Sequence, residues 1–151
     1  MEQDERRDSL LVEIGTHRLR ARLETGLAPK TSAAFVALLP LKLSLIQARW
    51  SGECGWAPLG EKGIRMAPEN ATCYPRPGQV LAYTGDVSEP ELLVPYGAAA
   101  FASKAGALAG NHFLTILDAD AVLKQIGEAL LWRGALPIAF RRDLQAANAS
   151  A

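Results

Sequence analysis

The stretch that decides the fold is residues 10–24, which read LLVEIGTHRLRARLE. From residue 17 to residue 24 every second side chain is charged, while Leu19, Ala21 and Leu23 lie between them. This period-two alternation is typical of a strand with one buried face. Gly15-Thr16 is a turn signal, so residues 10–14 and 17–24 are predicted to pair as a β-hairpin.

The rest of the chain contains more short apolar runs than helical patterns. Further strands are predicted at residues 41–50, 53–56, 79–83, 91–95, 112–117 and 136–140. Only two helices are expected. Pro29 opens the first and Pro40 ends it, whereas Asp118 or Asp120 caps the second and Gly134 stops it. This order favours a mainly β fold, a closed antiparallel β-barrel with two capping helices.

Two long connections are predicted to contribute to a site. Residues 58–78 are rich in proline and glycine, and ordered loops of that length usually have a function. Residues 96–111 are small and glycine-rich, which indicates a compact loop lining the same cavity. The expected boundaries are a flexible N-terminus at 1–9, one domain at 10–141 and a disordered tail at 142–151.

Composition argues against several classes of partner. The 151 residues contain 16 Lys and Arg and 16 Asp and Glu, so the net charge is zero. Nucleic-acid-binding proteins carry basic faces, so no nucleic acid is expected, and the arginines near the N-terminus are interpreted as a solvated face. The chain has no apolar run of membrane-spanning length and no apolar leader. We therefore expect a cytoplasmic protein that does not bind membranes.

The cysteines and histidines do not form a metal-binding motif. Cys54 and Cys73 have neither CxxC nor zinc-site spacing, and we expect both to be reduced thiols. His17 is expected to be structural. No metal is predicted. The glycines between residues 97 and 110 do not form GxGxxG after a strand, so no dinucleotide and no other cofactor is expected.

The most unusual cluster is residues 48–56, ARWSGECGW. Its alternation places Arg49 on an apolar strand face, which indicates a pocket or a buried ion pair. Arg49 can anchor a carboxylate or carbonyl through two N–H groups, or it can pair with Glu53. Trp50 and Trp56 can form the walls around a flat ligand, or one of them can belong to the core.

His112 and the pair Ser103-Lys104 have two interpretations each. His112 is either a general base at the pocket rim or a structural histidine. Ser103-Lys104 is either a nucleophile pair or two loop residues. The candidate ligand-binding set is Arg49, Trp50, Glu53, Trp56, Tyr74, Tyr96, Phe101, Ser103, Lys104, Asn111 and His112.

A homo-oligomer is also predicted. Residues 92–94 form a short apolar strand, and an apolar strand at a sheet edge needs covering.

The chain resembles the cyclophilins over roughly residues 10–141. The similarity rests on VEIGTHRLRARLETGLAPKTSAAFVALL, on the strand ending in Ala48-Arg49-Trp50, and on PGQVLAY and GNHFLTI. The chain is more similar to a bacterial family of uncharacterised small cyclophilin-like proteins. The strings ARWSGE, PENATCYPRPGQ and PYGAAAFASKAGALAGNHF carry that similarity.

The cyclophilin resemblance implies a barrel with Arg49 at the position of the catalytic arginine. The phenylalanine and glutamine that accompany this arginine in cyclophilins have no evident counterpart in residues 51–60. The favoured hypothesis is therefore binding of a small polar ligand around Arg49 without catalysis. The alternatives are a peptidyl-prolyl isomerase, or a hydrolase or hydrolase subunit using His112 with Glu53, Cys54 or Ser103.

Overall fold

A computed structural model describes residues 2–148 as a mainly β structure. The strands are β1 (Ser9–Ile14), β2 (His17–Leu23), β3 (Leu41–Gln47), β4 (Gly52–Pro58), β5 (Ala71–Thr72), β6 (Gln79–Tyr83), β7 (Glu91–Ala99), β8 (Ala102–Ser103), β9 (Gly106–Ala107), β10 (Gly110–Ile116) and β11 (Leu136–Arg142). The helices are α1 (Glu2–Arg7), α2 (Pro29–Val36), α3 (Asp120–Arg133) and α4 (Leu144–Asn148), with one 3₁₀ turn at Gly60–Lys62.

Eight antiparallel strands close into a barrel in the order β2-β1-β11-β3-β4-β7-β6-β10, and β10 pairs back onto β2. The β2–β10 seam is short: Leu114, Thr115 and Ile116 face Leu23, Arg22 and Ala21. β5 adds to the start of β10, while β8 and β9 form a separate hairpin. The predicted closed antiparallel barrel is confirmed.

The alternation in residues 17–24 has the predicted effect. Leu19, Ala21 and Leu23 are buried in β2, and the arginines between them are exposed. Phe35 of α2 lies in the main core with its ring centroid 4.7 Å from that of Phe113. The apolar face of the hairpin therefore builds the barrel interior.

Two helices cover the barrel, as predicted. α2 packs against β10, and α3 packs against β3, β4 and β7. Ala119 is the N-cap of α3, and no side chain caps that end, so the predicted cap at Asp118 or Asp120 is wrong. Asp118 instead has a positive φ of 48°, in the tight turn that leads into the helix.

The predicted strand ends near the site need two corrections. β3 ends at Gln47, so Arg49 lies in the turn before β4 and not on a strand face. β7 runs to Ala99, and residues 96–111 form the end of β7, the β8–β9 hairpin and the start of β10 instead of a loop. At Gly97 an added Cβ would lie 2.6 Å from Glu53 Oε1, so this glycine allows the Glu53 side chain of β4 to approach β7 closely.

The reason given for a homo-oligomer is also wrong. β7 lies between β4 and β6, and Leu92, Leu93 and Val94 are buried there, so this strand is not an edge. The homo-oligomer stays a prediction that light scattering would test.

Short helices occupy parts of both segments that were expected to be flexible. α1 covers Glu2–Arg7, and α4 follows β11 at Leu144–Asn148. The two helices contact one another, and Arg142 Nη1 donates to the Arg7 carbonyl at 3.1 Å. Met1 and residues 149–151, part of the expected flexible ends, lie outside the described residues. None of the helices within residues 2–148 has the length and hydrophobicity needed to span a membrane.

Candidate functional site

A groove of about 1000 Å³ lies on the barrel surface. Its lining comes from the β3–β4 turn at 48–51, from Trp56, from residues 87–91 with Leu93, and from the β8–β9 hairpin at 102–105. This volume is at the upper end of the usual range for small-molecule sites. The groove is the main candidate for a binding site.

The groove uses the outer face of the barrel wall. Along β7, Leu92 and Val94 belong to the main core. Leu93 instead belongs to a second group, the outer cluster, made of Cys54, Leu81, Tyr83, Leu93, Phe101 and Leu108. Because side chains alternate across a strand, Glu91 shares the outer face with Leu93.

Glu91 is a buried carboxyl group in the groove lining. Only 6% of the residue is exposed. Trp56 Nε1 donates to Glu91 Oε2 at 2.7 Å, across the β4–β7 pair. Burial raises the pKa of Glu91 to about 7 from its usual 4.5; the Trp56 hydrogen bond opposes this shift, and the charge of Glu89 adds to it. A carboxyl group with a pKa near neutrality is a common feature of functional sites.

Two cations border the same groove. Arg49 and Lys104 are exposed, and within residues 2–148 neither side chain makes a hydrogen bond or an ion pair. Trp50 lies beside Arg49 and is 56% exposed. The groove thus combines two exposed cations, the exposed carboxylate of Glu89, aromatic surface and the buried carboxyl group of Glu91.

Ser51 connects the two segments that carry these cations. Its Oγ donates to the Ala102 carbonyl and accepts from the Ala102 amide, both at 3.1 Å. Its carbonyl accepts from the Ala100 amide at 3.0 Å. The buried Ser51 therefore fixes the turn bearing Arg49 against the hairpin bearing Lys104.

Ser103 has a local role in the hairpin. Its Oγ accepts from the Ala105 amide at 3.0 Å and donates to the Gly106 carbonyl at 3.5 Å. Ser103 makes no hydrogen bond to Lys104 in the described chain. The geometry gives no support to a Ser–Lys nucleophile pair.

Arg49, Trp50, Trp56, Ser103 and Lys104 of the predicted set line the groove, and the other members do not. Neither tryptophan belongs to the core, since Trp50 is exposed and Trp56 is half-buried. Glu53 does not pair with Arg49; its Oε1 accepts from the Ala98 amide at 2.9 Å.

The predicted aromatic walls Tyr74, Tyr96 and Phe101 have other environments. Tyr74 is 75% exposed and is not part of the groove lining. Tyr96 donates through its hydroxyl to Gln47 Oε1. Phe101 is buried and packs edge-on against Tyr83 at 5.6 Å between ring centroids.

Asn111 is part of a buried structural network. Its Nδ2 donates to Thr31 Oγ1 and to the Ala67 carbonyl, both at 3.1 Å, and its Oδ1 accepts from the Glu69 amide at 3.0 Å. Glu69 in turn accepts from the amides of Lys30 and Thr31 at the start of α2. The network holds the long loop and α2 on the barrel.

His112 belongs to another network, at the barrel seam. Thr115 Oγ1 donates to Glu24 Oε1 at 2.7 Å and lies 2.8 Å from His112 Nε2, while Asn70 Nδ2 lies 3.4 Å from His112 Nδ1. Burial lowers the pKa of His112, although Glu24 opposes this shift. Among residues 2–148, no hydrogen bond joins His112 to Glu53, Cys54 or Ser103, so the hydrolase constellation is not assembled.

The two cysteines differ in access. Cys54 is fully buried in the outer cluster, and burial raises its pKa to about 12. Cys73 is half-buried, and its carbonyl accepts from the Phe101 amide at 2.7 Å, at the base of the β8–β9 hairpin. The part of the chain that the structure describes contains no group of three His, Cys, Asp or Glu side chains placed to hold a metal ion.

The residue that sequence reasoning missed is Glu91. It was interpreted only as the first residue of a short strand. The sequence contained one signal, a carboxylate directly before the apolar run LLVP. Charged residues are rarely buried without a partner, so a carboxylate at the start of a buried strand indicates a partner elsewhere in the chain. The Trp56 partner becomes visible only with the β4–β7 register.

Residues 10–141 match the family described as "Protein of unknown function (DUF3830)", and the chain belongs to that family. No match was found among curated proteins. The family establishes relatedness over most of the chain but brings no activity with it.

Two solved structures have a similar fold. "Structure of McbB in complex with tryptophan" aligns with a TM-score of 0.67 and 16% identity, covering 89% of this chain. The chain spans 44% of the McbB chain, less than half of its length. "Solution structure of the hypothetical protein AF2241 from Archaeoglobus fulgidus" aligns with a TM-score of 0.60 and 16% identity, over 94% of this chain and 99% of that one. At this identity the likeness concerns the fold alone, and neither protein is described as a cyclophilin, so the cyclophilin resemblance is not confirmed.

Proposed function

We propose that this protein binds a small organic anion with a flat or apolar body, such as an aromatic carboxylate, in the groove around Arg49. The observation that carries the proposal is the pair of Arg49 and Lys104. Both cations border the groove, and neither has a hydrogen-bond or ion-pair partner within residues 2–148.

The chemistry of the lining supports this class of ligand. A guanidinium group can hold a carboxylate through two parallel N–H contacts, and an ammonium group adds a second positive charge. Trp50 and Trp56 offer aromatic surface for a flat body, with Leu93 and Val87 as further apolar contacts. McbB is described in complex with tryptophan, so tryptophan belongs in a ligand panel, although 16% identity does not transfer a ligand.

A thermal-shift screen with benzoate, 3-phenylpropionate, 4-methylpentanoate and L-tryptophan tests the proposal. A ligand present at about 100 times its Kd stabilises the folded state by about 2.7 kcal/mol, which raises Tm by roughly 5–10 °C for a domain of this size. Benzyl alcohol is the uncharged reference and is expected to give no comparable shift.

Substitutions then locate the ligand. Arg49→Ala and Lys104→Ala are each expected to weaken carboxylate binding by about 3- to 10-fold, the usual worth of a charged contact near the surface. Lys42→Ala and Arg133→Ala remove exposed cations away from the groove and serve as matched controls. Binding that is equally weakened in all four variants would indicate a nonspecific charge effect and would contradict the proposal.

A further inference from the structure

The charges of the groove lie at different depths. Arg49, Lys104 and Glu89 are exposed in its lining, whereas Glu91 is 6% exposed. A simple anion site would contain no carboxyl group in its lining, because like charges repel. The carboxyl group of Glu91 therefore indicates that the ligand has a second polar group, which the proposed anion lacks.

One oxygen of Glu91 is free to accept a hydrogen bond. Oε2 accepts from Trp56 Nε1, but Oε1 makes no hydrogen bond to any described residue. Among the described residues, Glu91 Oε1 is not one of the fully buried polar atoms that lack a hydrogen-bond partner. This oxygen is therefore accessible, and Glu91 lines the groove. A partly buried carboxyl oxygen with no partner favours a ligand N–H donor.

We propose that the ligand is a zwitterion of the amino-acid type, with its protonated nitrogen on Glu91 and its carboxylate on Arg49 and Lys104. This inference rests on the proposed anion binding and adds the second charged group. The ligand's apolar body then lies against Trp50 and Trp56.

Binding of such a ligand is coupled to proton release. Burial and the charge of Glu89 raise the pKa of Glu91 to about 7, while the Trp56 hydrogen bond opposes the shift. Arg49 and Lys104 share the groove lining with Glu91, and Tyr83 is the cross-strand partner of Glu91 in β6. An ammonium group beside Glu91 favours the carboxylate form. Binding below pH 7 therefore transfers the Glu91 carboxyl proton to the buffer.

Three related probes separate the charged groups of the ligand. L-phenylalanine has both groups, 3-phenylpropionate lacks the amine, and 2-phenylethylamine lacks the carboxylate. By isothermal titration calorimetry at pH 7.5, L-phenylalanine is expected to bind at least 10-fold tighter than either of the other two. Between pH 5 and 7 its affinity is expected to rise by up to tenfold per pH unit. The rise comes with net proton release at pH 6, measured in buffers of different ionisation enthalpy.

Glu91→Gln keeps the shape of the side chain and an acceptor for Trp56. It is expected to abolish both the preference for L-phenylalanine over 3-phenylpropionate and the proton release. Glu128→Gln, which changes an exposed carboxylate of α3 outside the groove lining, is the matched control and is expected to retain both. The wild-type proton release tests the proposal even if Glu91→Gln does not fold.

The outcomes distinguish this inference from the proposed function. If 3-phenylpropionate binds as tightly as L-phenylalanine, or binding of L-phenylalanine releases no proton at pH 6, the zwitterion is wrong and the anion site stands. If neither carboxylate binds, the anion site is wrong and the zwitterion fails with it.

Discussion

At the scale of single residues, Glu91 is the least expected feature of the chain. Its carboxyl group is buried on the outer face of β7 and receives the Trp56 indole N–H. Arg49, which sequence reasoning placed on a strand face, is an exposed residue of a turn. Arg49 was predicted as a site residue and lines the groove, whereas Glu91 was not among the predicted residues.

Glu91 should make the protein less stable as the pH rises. Its pKa is about 7 in the folded state and 4.5 ordinarily, so the folded state keeps the proton over a wider pH range. This stabilisation amounts to about 3 kcal/mol at most. It is fully present below pH 4.5 and is lost as the pH rises through about 7. Urea denaturation of wild type and Glu91→Gln from pH 4.5 to 8 checks this, since their difference isolates Glu91. Parallel stability curves would contradict the expectation.

At the scale of elements, the extension of β7 through residues expected to form a loop is the main difference from the sequence-based prediction. The β1–β2 hairpin can be predicted from the alternation of apolar and charged residues alone, because this pattern is local in the sequence. The extension of β7 through Gly97 was read as a loop, since glycine is rare in strands. The extension comes from pairing with β4, where Gly52 faces Ala99, and no local pattern reveals that pairing.

Gly127 permits α3 to pack on β7. A Cβ at this position would lie 2.2 Å from Cδ2 of Tyr96. Gly127→Ala is therefore expected to destabilise the protein by about 1–3 kcal/mol, although helix propensity alone would favour alanine by about 1 kcal/mol. Thermal denaturation measures the effect.

Two variants support this interpretation of Gly127. Gly26→Ala adds a Cβ where no atom lies within 4 Å, and it is expected to change the free energy of unfolding by less than about 0.5 kcal/mol. In a Tyr96→Ala background, Gly127→Ala should no longer destabilise the protein. An equal loss in both backgrounds would exclude the Tyr96 clash as the cause.

Asn111 holds α2 and the long loop on β10. Asn111→Ala removes three hydrogen bonds and leaves the Glu69 amide and the Ala67 carbonyl without this partner. We expect a loss of about 2–3 kcal/mol in the free energy of unfolding and faster hydrogen exchange in residues 64–72. Gln125→Ala, on the exposed side of α3, is the control. Unchanged exchange in the loop would show that Asn111 does not hold it.

At the scale of the whole molecule, the barrel was predictable and the groove was not. Short strands with few helices were sufficient to predict a closed antiparallel barrel. The groove requires the β4–β7 register that sets Trp56 against Glu91, and it requires Ser51 to join the β3–β4 turn to β8. These contacts link distant parts of the chain, so local patterns in a single sequence do not predict them.

The seam between β2 and β10 is one of the short strand pairings of the barrel, together with β3–β4 and β6–β7. It has three residue pairs, whereas β1 and β2 share six. Thr115 reinforces it by donating to Glu24 and bonding His112. Thr115→Val is expected to cost about 1–2 kcal/mol and to speed hydrogen exchange in β10.

Thr115→Val should also change the pKa of Glu24. Burial alone would raise the pKa of Glu24, but hydrogen bonds from Thr115 and Arg22 outweigh it and lower the pKa. Thr115→Val is therefore expected to raise the Glu24 pKa, which NMR titration would detect. Thr16→Val, at an exposed turn residue, is the control. An unchanged Glu24 pKa would mean that Thr115 does not stabilise this carboxylate.

The unequal burial of the two thiols gives the native chain a built-in attachment point. Cys54 is enclosed and has a pKa of about 12, so it should resist maleimides under native conditions. Cys73 is half-buried beside the hairpin that carries Lys104. A fluorophore attached there without any engineered cysteine would lie at the base of the β8–β9 hairpin, so its emission is expected to change when a ligand contacts that hairpin.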